Sequence, residues 1–524
     1  MKLEMLDTSI FIAYVVGLLI IALWISRNEK AEGRNTEDYF LASKSLPWWA
    51  IGASLIASNI SAEQIIGMSG SGYALGLAIA SYEWMAAITL IIVGKYLLPI
   101  FLKNGIFTMP QYLEQRFDSR VKTTLALFWI AVYIFVNLTA VLWLGGLAIQ
   151  TVAGVDWMFG MIFLAVFSIA YSLYGGLKAV AYTDILQVVL LVFGGLLLSY
   201  LALVEVSDGQ GFIAGFSVLT HELPGHFDMI LSPDNENYMN LPGISVLVGG
   251  LWVMNISYWG FNQYIIQRAL AAKDLKEAQK GIAFAAYLKL LMPVIVVLPG
   301  IAAVILYPQL TSPDQAYPSM MELMPVGIKG LVFAALVAAI VSSLASMTNS
   351  ISTIFTMDIY RPLQPNKSQN HYVHIGRIAT LVALGLALIT AQPLLGQFDQ
   401  AFQYIQEFTG VFTPGITVIF LMGMFWKRTT SQGALSAAIG SAIFSFALKF
   451  TFPDLPFMDR IGLVFLLCLA LTVVVSILTA SKEGDESSNQ SVSLDEVSFA
   501  TDRGFNLAAI GCVIILTFFY VTWW

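Results

Sequence analysis

Three apolar stretches of this chain carry polar groups of the kinds that bind small solutes and ions. The first reads Ala57-Ser58-Asn59-Ile60-Ser61-Ala62-Glu63-Gln64, followed by Gly67, Gly70 and Gly72. The second reads Asn255-Ile256-Ser257-Tyr258-Trp259-Gly260-Phe261-Asn262-Gln263-Tyr264. Both are rich in amides, which donate and accept at once. In the third, Ala339, Ser342, Ser343 and Ser346 fall at i, i+3, i+4 and i+7 and so share one helical face. A stripe of hydroxyls offers neutral oxygens to a small hard cation. The same spacing equally describes small-residue packing with hydroxyls bonded to their own helix, and spacing alone leaves both open. Glu83 in Ser81-Tyr82-Glu83-Trp84, Lys289 in Tyr287-Leu288-Lys289-Leu290, and Gln406 one turn after Phe402 complete the inventory. An acid, a base, amides and aromatic faces suit a neutral polyhydroxylated solute. Glu83 with Lys289 reads equally as a structural ion pair, and Gln406 as an interhelical hydrogen bond.

The elements that hold these residues are set by lipid. The chain has 524 residues, 58% of them apolar and 11% charged, with a mean hydropathy of +0.77. Soluble domains are about 25% charged, so an all-α membrane protein is expected. A transmembrane helix needs about 20 mainly apolar residues. Fourteen such runs are predicted, near 8–26, 46–74, 77–102, 122–150, 156–174, 177–203, 242–269, 275–307, 328–356, 372–396, 398–425, 430–450, 459–481 and 504–524. Lysines and arginines gather on alternate loops, and the 204–241 loop has none. The positive-inside rule then places both termini on the non-cytoplasmic side. An N-terminus carrying Glu4 and Asp7 is a poor signal-peptide start, which predicts that the first span is retained. Cys468 and Cys512 lie in apolar runs and read as small hydrophobes. No HExxH, CxxC, GxSxG or P-loop pattern is present, which argues against an enzyme or an ATP-driven pump. No basic tract suggests nucleic acid.

Placement sharpens this. Polar groups inside lipid must face a bundle interior or a cavity. The second and seventh spans both carry glycine and polar residues mid-helix and share Asn-Ile-Ser. Helices interrupted at corresponding places in two halves point to a transporter site. They lie five spans apart, an odd number, so the second unit would be inverted. Interruption is expected at the glycines.

The chain resembles the sodium/solute symporter family over nearly its whole length, and within it the bacterial sodium/galactose (glucose) branch. The resemblance rests on Thr36–Ala42 with Leu46-Pro47-Trp48-Trp49, Asn59–Gln64, Tyr174-Gly175-Gly176-Leu177-Lys178-Ala179, Trp259–Tyr264 and Gly423-Met424-Phe425-Trp426-Lys427-Arg428 with Gly433-Ala434. It implies a single transporter domain over 1–524 in the leucine-transporter arrangement. An extra helix at 8–26, inverted five-helix repeats at 46–203 and 242–425, and three extra helices over 430–524 would make it up. It implies solute contacts from Asn59, Gln64, Glu83, Asn255, Lys289 and Gln406, with Tyr258 stacking on the solute as inner gate. Met68, Tyr82 and Phe402 would form the outer gate. Sodium, the co-transported ion, would be held by carbonyls of Ala57, Ile60 and Ala339 and hydroxyls of Ser342 and Ser343. Tyr171 and Asp184 would lie on its path. The family pattern has serine three residues after the glutamate where this chain has Ala86, so one hydroxyl contact is lost. The expected activity is sodium-coupled hexose symport across the bacterial inner membrane; the alternative solutes are myo-inositol, sialic acid, proline or pantothenate.

Overall fold

The computed structural model describes residues 3–29, 46–106, 109–174, 177–396, 400–480, 494 and 497–524, the side chains of 19, 22–29 and 171–184 excepted. It is helical throughout. The principal helices are α1 (Met5–Glu29), α2 (Trp48–Asn59), α3 (Met68–Leu75, entered through a π turn at Glu63–Gly67) and α4 (Ser81–Ile92). Then come α5 (Ser119–Val132), α6 (Thr139–Ala153), α7 (Trp157–Tyr174), α8 (Leu177–Val206), α9 (Gly250–Ile256) and α10 (Gln263–Leu270). The remainder are α11 (Leu275–Leu306), α12 (Ile328–Thr353), α13 (Gln369–Leu395), α14 (Ala401–Phe425), α15 (Ser431–Thr451), α16 (Phe457–Thr479) and α17 (Arg503–Thr522). Among the described residues, ten helical segments are long and apolar enough to cross a membrane, with two shorter apolar helices at Met5–Leu18 and Trp157–Ala170.

Polar side chains start the helices where loops meet them. Asp118 accepts from the Arg120 and Val121 amides, Asp274 from Glu277, Thr430 from Gly433 and Asp502 from Phe505. Each satisfies donors that the first helical turn leaves orphaned. α12 is capped from another helix. Asp7 of α1 is fully buried, and its Oδ1 accepts from the Gly327 amide at 2.6 Å and the Gly330 amide at 2.9 Å. α12 is buried along nearly its whole length, packed against α1, α7, α8 and α13. α16 and α17 keep broad exposed apolar faces, as helices at a lipid boundary do.

α11 is the axis of the bundle and packs on α2, α3, α4, α8 and α17. Glycines permit its closest approaches. A Cβ on Gly281 would lie 2.9 Å from the Trp48 carbonyl, one on Gly72 2.8 Å from that of Val297, and one on Gly300 2.1 Å from that of Ser69. Small residues at helix contacts let backbones close in where lipid offers no hydrophobic drive.

This corrects one expectation. The second span is not interrupted at its glycines. α2 ends at Asn59, Ile60 turns extended at φ −72°, ψ 93°, and the π turn starts at Glu63, so Gly67, Gly70 and Gly72 are all helical. In the seventh span Gly260 also stays helical, and the break falls at Asn262, φ −81°, ψ 119°. The glycines serve contact, and the breaks sit at polar residues.

The loop between α8 and α9 folds back over the C-terminal end of α3. His226 Nε2 lies 3.3 Å from the Tyr73 carbonyl, and Asn237 Nδ2 donates to Ala74 at 3.2 Å. These are among the carbonyls that a helix C-terminus leaves without partners.

Gly300→Ala is expected to cost about 1–3 kcal/mol by forcing α11 off α3, seen as a lower thermal midpoint in detergent. Gly225→Ala, with open space around its Cα, should leave the midpoint unchanged.

Candidate substrate and ion site

The two breaks face each other. Asn59, the last residue of α2, donates through Nδ2 to the Tyr258 hydroxyl at 3.1 Å. Tyr258 sits in the π turn just before the Asn262 break, and its hydroxyl also pairs with that of Tyr264 at 2.9 Å. Tyr133 donates to Asn262 Oδ1 at 2.8 Å. A chain of side-chain hydrogen bonds therefore joins the broken ends, where the backbone has stopped bonding to itself.

Lys289 of α11 anchors the other side. It is fully buried and bonds to Glu83 Oε2 at 2.6 Å and to Asn59 Oδ1, with its ammonium 5.0 Å from the Trp259 ring centre. A buried charge is tolerated only when paired and hydrogen-bonded. Here the pair cancels the charge of Glu83 and fixes Asn59.

A cavity opens beside this network. Asn59, Gln64, Glu83, Asn255, Tyr258 and Gln406 line it, and Ala86 lies in the same wall. Met68, Tyr82 and Phe402 also border it, all buried, with the Tyr82 and Phe402 rings edge to face at 5.1 Å. Gln64 Nε2 contacts Met68 Sδ at 3.1 Å, tying a polar wall residue to this apolar cover. Tyr133, Asn137, Asn262, Thr413 and Ile416 line it as well. Lys289 is brought to the site but stands behind the wall. Its contact is with Asn59 and Glu83.

Residues that pattern reading passed over also line the cavity. Glu63 faces it and receives only the Asn137 amide, at 3.5 Å, with no cationic partner among the described residues. Trp129, Tyr133 and Asn137 come from α5 and the π turn Tyr133–Leu138 that follows it. Asn137, a lone amide in an apolar run, was the available signal for that helix.

The expected ion ligands are all buried: Ala57, Ile60, Ala339, Ser342 and Ser343. α2 packs against α12. The helical ladder of α2 closes with the Ile60 amide on the Ile56 carbonyl, and the next bonds are those of Gln64 and Ile65 to Ser61. Ser346, fourth in the stripe, is taken by Arg268 Nη2 at 3.2 Å. Ser343 Oγ is buried with no partner among the described residues. Such an orphan calls for a ligand, and neutral hydroxyls with freed carbonyls are the kind of oxygen donors that suit a monovalent cation. No cluster of three His, Cys, Asp or Glu exists among the described residues to hold a transition metal. Tyr171 and Asp184 lie outside the described side chains.

A helical membrane bundle whose facing helix breaks border a polar cavity is the architecture of a secondary transporter. A model of the Sodium:solute symporter family matches residues 39–440. The chain is 52% identical to a sodium/glucose cotransporter of Vibrio parahaemolyticus, covering 100% of this chain and 99% of that one. It is 33% identical to sodium/glucose cotransporter 1 of Mus musculus, over 82% of this chain and 69% of the relative. It is 34% identical to sodium/myo-inositol cotransporter 2 of Sus scrofa, over 83% and 68%. Among solved structures, a substrate-bound, outward-open Na+-coupled sialic acid symporter shares the fold at a TM-score of 0.78 and 24% identity, covering 91% of this chain and 98% of that one. The chain belongs to the sodium:solute symporter family. It is a multi-pass membrane transporter, not an enzyme, and sodium is the ion it carries with its solute.

Lys289→Met strands the Glu83 carboxylate and should destabilise the protein by about 3–5 kcal/mol. Adding Glu83→Gln should recover most of that loss in a detergent melt, because no charge is then left alone.

Proposed function

We propose that the chain imports a neutral hexose, glucose or galactose, with sodium across the bacterial inner membrane. In this reading fourteen helices cross the bilayer, both termini lie outside the cytoplasm, and 46–203 and 242–425 are inverted repeats of one transporter domain. Asn59, Gln64, Glu83, Asn255 and Gln406 bind hydroxyls, Lys289 positions Asn59 and Glu83, and Tyr258 stacks as inner gate. Met68, Tyr82 and Phe402 cover the site from outside. Carbonyls of Ala57, Ile60 and Ala339 with Ser342 and Ser343 hold sodium, which Tyr171 and Asp184 pass onward.

The observation that carries the solute class is the charge state of the cavity. Lys289 spends its charge on Glu83, and the other acidic residue of the wall, Glu63, brings no cation with it. A carboxylated solute such as sialic acid or proline would meet no free cation among the described lining residues, which costs affinity. Polyols escape that cost, so myo-inositol stays as the second reading, supported by the named myo-inositol relative.

Coupling follows from the break. An ion bound between α2 and α12 fixes the end of α2 that carries Asn59, so sodium completes the sugar site, and the linkage is reciprocal. One sodium entering down about 100 mV supplies about 2.3 kcal/mol. A roughly tenfold gradient adds about 1.4 kcal/mol. Together these sustain a sugar gradient of several hundred-fold at one-to-one coupling.

In proteoliposomes an imposed sodium gradient should drive accumulation of labelled glucose or galactose, and excess sialic acid or proline should not compete. Failure to accumulate either hexose would remove the sugar assignment. Ser343→Ala should abolish the sodium dependence; normal sodium-driven uptake by that variant would remove the ion site. Ala86→Ser restores a hydroxyl to the wall and should tighten hexose binding by up to about tenfold, the worth of one hydrogen bond, read in competition assays.

A further inference from the structure

A second closure lies above the aromatic cover, built by a loop residue that transport so far leaves unused. Asp314 sits in the Pro313–Gln315 turn between α11 and α12 and is 2% exposed. Its Oδ2 accepts from the amide of Ala401, first residue of α14 and neighbour of Phe402, at 2.9 Å. A carboxylate at a helix N-terminus meets orphaned amides and the positive end of the dipole. Its Oδ1 is buried without a partner among the described residues, and a Cβ on Gly70, two residues beyond Met68, would come within 2.5 Å of it. Next to Gly70, Ser71 Oγ donates to Gln400 Oε1 at 2.9 Å, both residues buried. The helix that carries Met68 is thus bonded directly to the residue before the Phe402 helix, and the turn that holds Asp314 is bonded to the second helix and packed against the first.

We propose that Asp314, with the Ser71–Gln400 pair, is a latch that holds the outer mouth shut, and that Asp314 binds a proton more readily when latched than when the mouth is open. The inference rests on an outer mouth that opens, and not on which solute is carried.

Burial pushes the Asp314 carboxyl up to about 7, partly opposed by the Ala401 amide. In water a carboxyl returns to its ordinary value near 4. The state with the higher pKa gains from acid, so between about pH 4 and 7 acidification favours the latched state. The elements packed on this turn are α3 with its π turn, α6 and the helix Ala316–Met320. Their titratable residues are Glu63, Tyr73 and Tyr317, and α14 adds Tyr404 and Glu407, the latter held by Lys449 and Arg460. None of these contributes to the shift at Asp314, whose causes are burial and the Ala401 amide.

The test uses the full chain in intact cells with Ala86→Cys as a reporter in the cavity wall; the native Cys468 and Cys512 are buried. The rate of labelling by a membrane-impermeant maleimide added outside is measured. Gln400→Ala and Asp314→Ala should each raise it at least about fivefold. The ratio of the rate with Asp314 intact to that with Asp314→Asn cancels the reporter thiol's own titration. That ratio should fall at least about fivefold from pH 7.5 to 5.5. A ratio flat with pH overturns the proton-linked part. Unchanged labelling in Gln400→Ala and Asp314→Ala overturns the latch. Should Asp314→Ala fail to fold, Gln400→Ala decides the latch and the Asp314→Asn ratio still decides its titration.

Discussion

Within the hydrocarbon of a bilayer a peptide group has no water to bond to, so a helix can stop there only beside a cavity or a ligand. The stop after Asn59 is the feature on which the rest of this site depends. It turns the end of α2 toward Tyr258 and places Asn59 where Lys289 can bond it. It also leaves the carbonyls from Ala57 to Ile60 outside a continuous ladder, on a helix that packs against α12. The cavity wall at Asn59 and the freed carbonyls before it are two sides of one discontinuity. A continuous helix would remove both.

The long α11 is the counterweight. It bears Pro293 and Pro299 and still runs as one helix, because a glycine seam presses it against α2 and α3. Lys289 is carried on this stiff element, and the acid it neutralises stands on α4. The broken helix is thus held from behind by an unbroken one.

The positions of the helices were legible because lipid enforces long apolar runs, and charge in the loops bounded them. The breaks were legible only as neighbourhoods. Gly67, Gly70, Gly72 and Gly260 looked like interruptions, but their work is to admit Val297, Asp314 and Leu97 at close range. Closeness between segments hundreds of residues apart leaves no mark in local spacing. Asn59, Gln64, Glu83 and Gln406 were readable because a polar side chain in an apolar run is costly and therefore placed. Glu63 stood in a motif that was quoted, yet its lack of a cation is a fact of three dimensions. Lys289 was named as a solute contact, and the structure puts it one layer back, a distinction of depth that sequence does not encode. Asp314 was invisible for a simpler reason: an aspartate after proline in a loop reads as solvated, and only the fold buries it.

Tyr258 does two jobs with one hydroxyl, bonding Asn59 and Tyr264 while its ring borders the cavity. If it swings aside to let the cargo go, it drops Asn59 in the same motion. The pocket that the departing sugar leaves is then no longer the pocket that bound it. Rebinding from the inside would be weaker than binding from the outside in proportion to that lost support, so the carrier would resist product inhibition as sugar accumulates. Direction, in such a machine, belongs to the sodium and sugar gradients; a gate that spoils the site as it opens changes only how readily the site is retaken from inside.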